Sequence, residues 1–80
     1  MQQITAPAFD TNGRSIGQQT AEVDFLDGIA ISITYKGVTY YNSDKIGTRI
    51  ATGEWVQELS GQNDSKRIWV NRGVTTIWED

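Results

Sequence analysis

Ala21-Glu22-Val23-Asp24-Phe25-Leu26-Asp27-Gly28-Ile29-Ala30-Ile31-Ser32-Ile33-Thr34-Tyr35-Lys36-Gly37-Val38-Thr39-Tyr40-Tyr41 is the stretch whose reading decides the fold. Ala21, Val23 and Phe25 alternate with Glu22 and Asp24. Ile29, Ile31, Ile33 and Tyr35 then alternate with Ala30, Ser32 and Thr34. A period of two is that of a half-buried β-strand. The turn between the two runs follows from keeping their faces matched. A two-residue Asp27-Gly28 loop sets Ile31 opposite Asp24 and mixes apolar with charged. A three-residue Leu26-Asp27-Gly28 loop pairs Phe25 with Ile29, Val23 with Ile31 and Glu22 with Ser32. That register is the expected one, with Gly28 at the left-handed position of a bulged turn. By the same logic a two-residue Lys36-Gly37 loop pairs Tyr35 with Val38, Thr34 with Thr39, Ile33 with Tyr40 and Ser32 with Tyr41. One face is then apolar throughout, and the other carries hydroxyls and Tyr41. The result is a three-stranded meander over residues 21–42.

Outward from the meander the pattern loosens. Toward the C-terminus, Ser43 could cap a short helix over 44–51, with Ile46 and Ile50 on one face. Gly47 weakens it by about 1 kcal/mol relative to Ala. Residues 54–59 fit a strand in which Trp55, Gln57 and Leu59 alternate with Val56 and Glu58. A single helical turn ended by Gly61 is the other reading. Residues 60–65 form a polar loop. Runs 66–70 and 74–78 make a closing hairpin around Asn71-Arg72-Gly73. A two-residue loop there sets Arg67 opposite Trp78, and a three-residue loop pairs Val70 with Val74. In both registers Trp69 points away from Ile68 and Val70. Toward the N-terminus, residues 1–20 are polar, with a turn signal at Asp10-Thr11-Asn12-Gly13. They read as a loose hairpin or a segment covering one sheet face. The expected fold is mainly β, one domain over 1–80. It is a small antiparallel sheet or partly open barrel of five to six strands, with the short helix near 44–51 as an option.

A chain of 80 residues buries a modest core, with a net stability of roughly 3–5 kcal/mol. It has no Cys and no His, so disulfides and the soft ligands of zinc and copper are missing. Stability must come from three Trp, three Tyr, two Phe and the Ile and Val runs, and a second subunit could add to it. The net charge of −3 is unevenly spread. Residues 1–30 hold four acids and one base, 31–53 three bases and one acid, and the remainder five acids and three bases. That polarity is weaker than the clear basic surface of nucleic-acid binders. No run approaches the length of a membrane span. The start lacks the basic and apolar regions of a leader, so the chain reads as a complete cytoplasmic product without a membrane partner.

Nucleophilic triads need His, and none is present. No phosphate-loop spacing occurs among the glycines. Asp24 and Asp27 do not match a calcium loop. The expectation is a protein that is not an enzyme, with no cofactor and no metal. Exposed aromatics carry more information. Tyr41 projects from the hydroxyl face of the meander, Trp69 from the back of its strand, and Trp78 lies near the C-terminus, with Arg67 and Arg72 close in sequence. Trp, Tyr and Arg dominate interface hot spots, because they combine large area with a polar handle. Tyr41, Arg67, Trp69, Arg72 and Trp78 are therefore the expected partner-binding set. The alternative is a two-sided core in which Trp69 lies under Phe9 or Ile16. Lys36, Lys45 and Arg49 form a secondary basic patch.

The segment Ile33-Thr34-Tyr35-Lys36-Gly37-Val38-Thr39-Tyr40-Tyr41, with Gly53-Glu54-Trp55 downstream, resembles small chitin-binding-type carbohydrate modules. Those pair a Y-x-G-x-x-Y hairpin with a later Gly and Trp. The paired Trp after the hairpin and the Gly-Asp-x-Pro turn of such modules are missing. In size and composition the chain is similar to small accessory proteins of phages, including anti-CRISPR inhibitors of host defence complexes. That likeness implies a protein partner in the host cytoplasm and an activity of surface occlusion. The leading expectation is thus a protein-binding module of inhibitor type. A carbohydrate-binding module, a structural subunit of a virion or tail, and a single-strand nucleic-acid binder are the alternatives.

Overall fold

The computed structural model describes residues 1–48, 55–62 and 65–79. Seven strands follow one another: β1 (Gln2–Phe9), β2 (Ser15–Leu26), β3 (Ile29–Tyr35), β4 (Val38–Thr48), β5 (Trp55–Ser60), β6 (Arg67–Val70) and β7 (Ile77–Glu79). Each pairs antiparallel with the next, and β7 returns to β1 in parallel through Ala8↔Ile77 and Phe9↔Trp78. The sheet is a closed barrel in sequence order. The mainly-β barrel expected from the sequence is present, with seven strands. Closure matters because an open sheet leaves unpaired backbone groups along its edges.

The Lys36-Gly37 turn has the expected register: Tyr35↔Val38, Thr34↔Thr39, Ile33↔Tyr40 and Ser32↔Tyr41. Lys36 at φ 50° and Gly37 at φ 79° form the left-handed pair that a two-residue hairpin requires. The first turn departs from expectation. It is the two-residue Asp27-Gly28 loop, with φ 52° and 78°, so Leu26 pairs with Ile29 and Phe25 with Ala30. The clash of faces is removed by a β-bulge. Ile31 is passed over, Asp24 meets Ser32, and Val23 meets Ile33 instead of Ile31. Glu22 accordingly faces Thr34, not Ser32. A bulge adds one residue to a strand and restores the alternation beyond it.

Residues 1–20 are more ordered than a loose covering segment. β1 pairs with β2 from Gln2↔Val23 to Phe9↔Ser15. Asp10 closes their turn, its Oδ1 accepting from the backbone N–H of Asn12 and of Arg14, both at 2.9 Å. The short helix considered for 44–51 is not formed over 44–48, which belong to β4. Residues 49–51 lie outside the described residues. A long β4 is what lets β5 pair with it from Thr48↔Trp55 to Tyr41↔Ser60.

The closing hairpin adopts neither expected register. Val70 pairs with Ile77, Trp69 with Trp78 and Ile68 with Glu79, across a connection over 71–76. The Asn71 side chain holds that connection. Its Oδ1 accepts from the backbone N–H of Thr75 (2.6 Å) and Thr76 (3.2 Å), and its Nδ2 donates to Thr75 Oγ1. Val74 is carried there at φ 51°, a strained angle for a β-branched residue, with its side chain buried.

The interior is filled by Ala6, Ala8, Ala21, Val23, Ala30, Ile33, Tyr35, Tyr40, Leu59, Ile68, Val70 and Ile77. The alanines lie on β1, β2 and β3, interleaved on β2 and β3 with Val23, Ile33 and Tyr35, so that small and large residues alternate to fill the interior. Gln57, in register with Val70, is buried and its Oε1 has no hydrogen-bond partner among the described residues.

Candidate functional site

Alternation within the strands assigns the outward positions. Ile68 and Val70 face inward, so Arg67 and Trp69 face out on β6. Tyr41 sits opposite Ser60, and Ser60 opposite Arg67, so Tyr41, Ser60 and Arg67 form one outer row across β4, β5 and β6. The adjacent row runs from Glu58 through Trp69 and Trp78 to Phe9, across β5, β6, β7 and β1. The two adjacent rows make an outer strip in which Tyr41, Trp69, Trp78 and Phe9 are interspersed with Ser60, Arg67 and Glu58. Tyr41 is 55% exposed, Arg67 is exposed and Trp69 is half-buried.

The expected partner-binding set therefore divides. Tyr41, Arg67 and Trp69 are brought together at the surface. Arg72 is exposed in the 71–76 connection, beyond the end of β6. Trp78 does not belong to a contact surface: it is 2% exposed. Its indole stacks on Phe9 with centroids 4.2 Å apart and planes at 17°. Its Nε1 donates to Thr76 Oγ1 at 3.3 Å. Phe9 does cover an indole, as one sequence alternative held, but that indole is Trp78 and not Trp69. The parallel closure of β7 on β1 is the cause, because it sets Phe9 in register with Trp78. The described residues place only part of the secondary basic patch. Lys36 lies in the β3–β4 turn, Lys45 is far along β4 opposite Glu58, and Arg49 is outside the described residues.

Sequence reasoning missed a second feature, an open cleft of about 230 Å³ in one mouth of the barrel. Tyr35, Lys36, Val38, Tyr40, Lys66, Arg67, Ile68 and Glu79 line it. Glu79 faces inward because it is in register with the inward Ile68. Its carboxylate accepts a 2.5 Å bond from the Tyr35 hydroxyl across the barrel and a 2.9 Å ion pair from Lys36. Burial works against the charge on Glu79. The Tyr35 bond and the bond and charge of Lys36 outweigh it, although Asp10 also opposes, and the carboxyl lies below its ordinary range. Burial, then the bond to Glu79 and its charge, push the Tyr35 phenol well up. Burial and the Glu79 charge also raise Tyr40. The signal that could have found this cleft is parity: Glu79 stands two residues past the inward Ile77, and Lys36 follows the inward Tyr35.

No family model and no solved structure matches the chain. Over 64 residues, 80% of this chain, it is 31% identical to the 1-carboxy-3-chloro-3,4-dihydroxycyclohexa-1,5-diene dehydrogenase of Comamonas testosteroni. The matched part is 15% of that protein's length, which does not carry its activity to this chain. No helix among the described residues is long and apolar enough to cross a membrane.

Proposed function

We propose that the chain is a protein-binding module, not itself an enzyme, that grips its partner through the outer strip of Tyr41, Arg67 and Trp69 and acts by occluding the surface it covers. The juxtaposition of these three side chains on one outer face carries the reading. They are the residue types that dominate binding hot spots, and here they share one outer face: Tyr41 and Arg67 flank Ser60 in register, and Trp69 stands two residues from Arg67 with Trp78 as its cross-strand neighbour. An inhibitor of a larger host complex is the form of this activity that size and composition favour.

A photocrosslinking residue at Tyr41 tests it. The expected result is one discrete protein adduct, lost with Arg67→Ala or Trp69→Ala while the far-ultraviolet spectrum is unchanged. The same probe at Leu26, exposed at the β2–β3 turn, gives no such adduct. Equal yields from both positions would refute the strip as the binding face. The likeness to a segment of a larger dehydrogenase favours a second reading, in which the strip packs the barrel against the body of an oxidoreductase. An adduct with an oxidoreductase, recovered from both the Tyr41 and Trp69 positions, would select it.

A further inference from the structure

We infer that the barrel mouth is a binding site for a small carboxylate with an apolar body, held by Lys66 and Tyr40 above a floor of Val38 and Ile68. Mouths of β-barrels are recurrent ligand sites, built as apolar clefts with a few convergent polar groups. The charged groups here are mostly of one sign. Lys36, Lys66 and Arg67 bring three cations to the cleft against one carboxylate, Glu79. That carboxylate is already engaged by Tyr35 and Lys36, so it offers little attraction to an incoming cation.

Two groups remain directed at the space without a protein partner. Lys66 makes no ion pair among the described residues. Its backbone carbonyl is fixed by the N–H of Gly61 at 2.6 Å, which anchors the residue at the rim. Tyr40 is an inward residue of β4, 6% exposed, and its hydroxyl has no hydrogen-bond partner among the described residues. Its raised phenol keeps its proton, so it presents a donor. An ammonium and a phenolic O–H facing one cleft match the two oxygens of a carboxylate, and charge-assisted bonds of this kind are the strong ones. The apolar part follows from the walls. Val38, Ile68 and the two tyrosine rings take a hydrocarbon ring or chain, which inorganic phosphate lacks. The site lies at the barrel end, apart from the strip's aromatic rows, and shares only Arg67 with it.

The test is a titration of the isotopically labelled full chain, followed by amide chemical shifts. The probes are sodium benzoate, inorganic phosphate and neutral benzyl alcohol. Benzoate is expected to give saturable shifts confined to residues 35–40, 66–68 and 79. Phosphate binds more weakly, and benzyl alcohol does not saturate. Lys66→Gln weakens benzoate roughly tenfold, the loss of one bond to a charged group. Tyr40→Phe keeps the ring and the barrel packing and weakens benzoate several-fold. Absence of saturation with benzoate overturns the inference, as does phosphate binding at least as tight. Unchanged benzoate affinity in both Lys66→Gln and Tyr40→Phe overturns it too.

Discussion

The inside of this barrel and the strip on its outside are built from different residues. Among the described residues the interior takes four alanines, the aliphatics of β2, β3, β5, β6 and β7, and two tyrosines that reach toward a mouth, with Phe25 packed against this core. The strip takes Phe9, Tyr41, Trp69 and Trp78. Strand alternation turns Phe9, Tyr41, Trp69 and Trp78 outward, each next to a residue that faces the core. There they become surface unless a neighbour covers them. Trp78 has such a neighbour in Phe9, whereas Trp69 is only half covered, although the two are cross-strand partners. Burial and binding capacity are thus decided residue by residue on the same face.

The sharpest way to break this comparison is to truncate both indoles. Trp78→Ala is expected to cost about 3–5 kcal/mol, as a core residue would. That is comparable with the whole net stability of so small a domain. Trp69→Ala should cost much less, about 1–2 kcal/mol, because much of its surface stays in water. Urea unfolding of the two variants measures both, and equal losses would remove the distinction. On the inner side, Ile33→Ala should cost about 2–5 kcal/mol by the same method.

At the mouth, Tyr35→Phe removes the hydroxyl from Glu79 and is expected to cost about 1–3 kcal/mol. Its pH dependence sharpens the point. Glu79 is held below its ordinary 4.5, so its stabilisation is full above that pH and is lost as pH falls through the lowered value. Tyr35 is raised above 10.0, so stability falls as pH climbs past 10, where the unfolded chain gives up a proton that the folded one keeps. Tyr35→Phe should flatten both limbs of a plot of urea midpoint against pH. The smallest effect is expected at Gln57. Its Oε1 is buried with no hydrogen-bond partner among the described residues, so Gln57→Met should change the midpoint little or raise it, by less than about 1 kcal/mol.

The sequence made parts of this legible for physical reasons. A Lys-Gly pair between alternating runs leaves one consistent register, and the β3–β4 pairing follows it residue for residue. At Asp27-Gly28 the alternation argues against a tight turn, which sets Ile31 against Asp24. The chain resolves that conflict with a bulge at Ile31, which local pattern does not announce. The register of the last hairpin is not legible in the sequence, because its tight turn at 71–74, closed by the Val74 N–H on the Asn71 carbonyl, is followed by residues that the Asn71 side chain holds before β7 begins. Tyr41, Arg67 and Trp69 could be placed outside from alternation alone. Trp78 could not, since the ring that seals it arrives from the first strand through closure of the barrel. The Glu79 cleft was hidden by the same unread register.

The most direct measurement is paramagnetic relaxation of the aromatic ring protons by a soluble nitroxide. The account predicts strong broadening of Tyr41, intermediate broadening of Trp69 and protection of Trp78 and its Phe9 partner. Equal broadening of Trp69 and Trp78 would contradict the sealed indole, and with it the closure of β7 on β1 from which the strip is built.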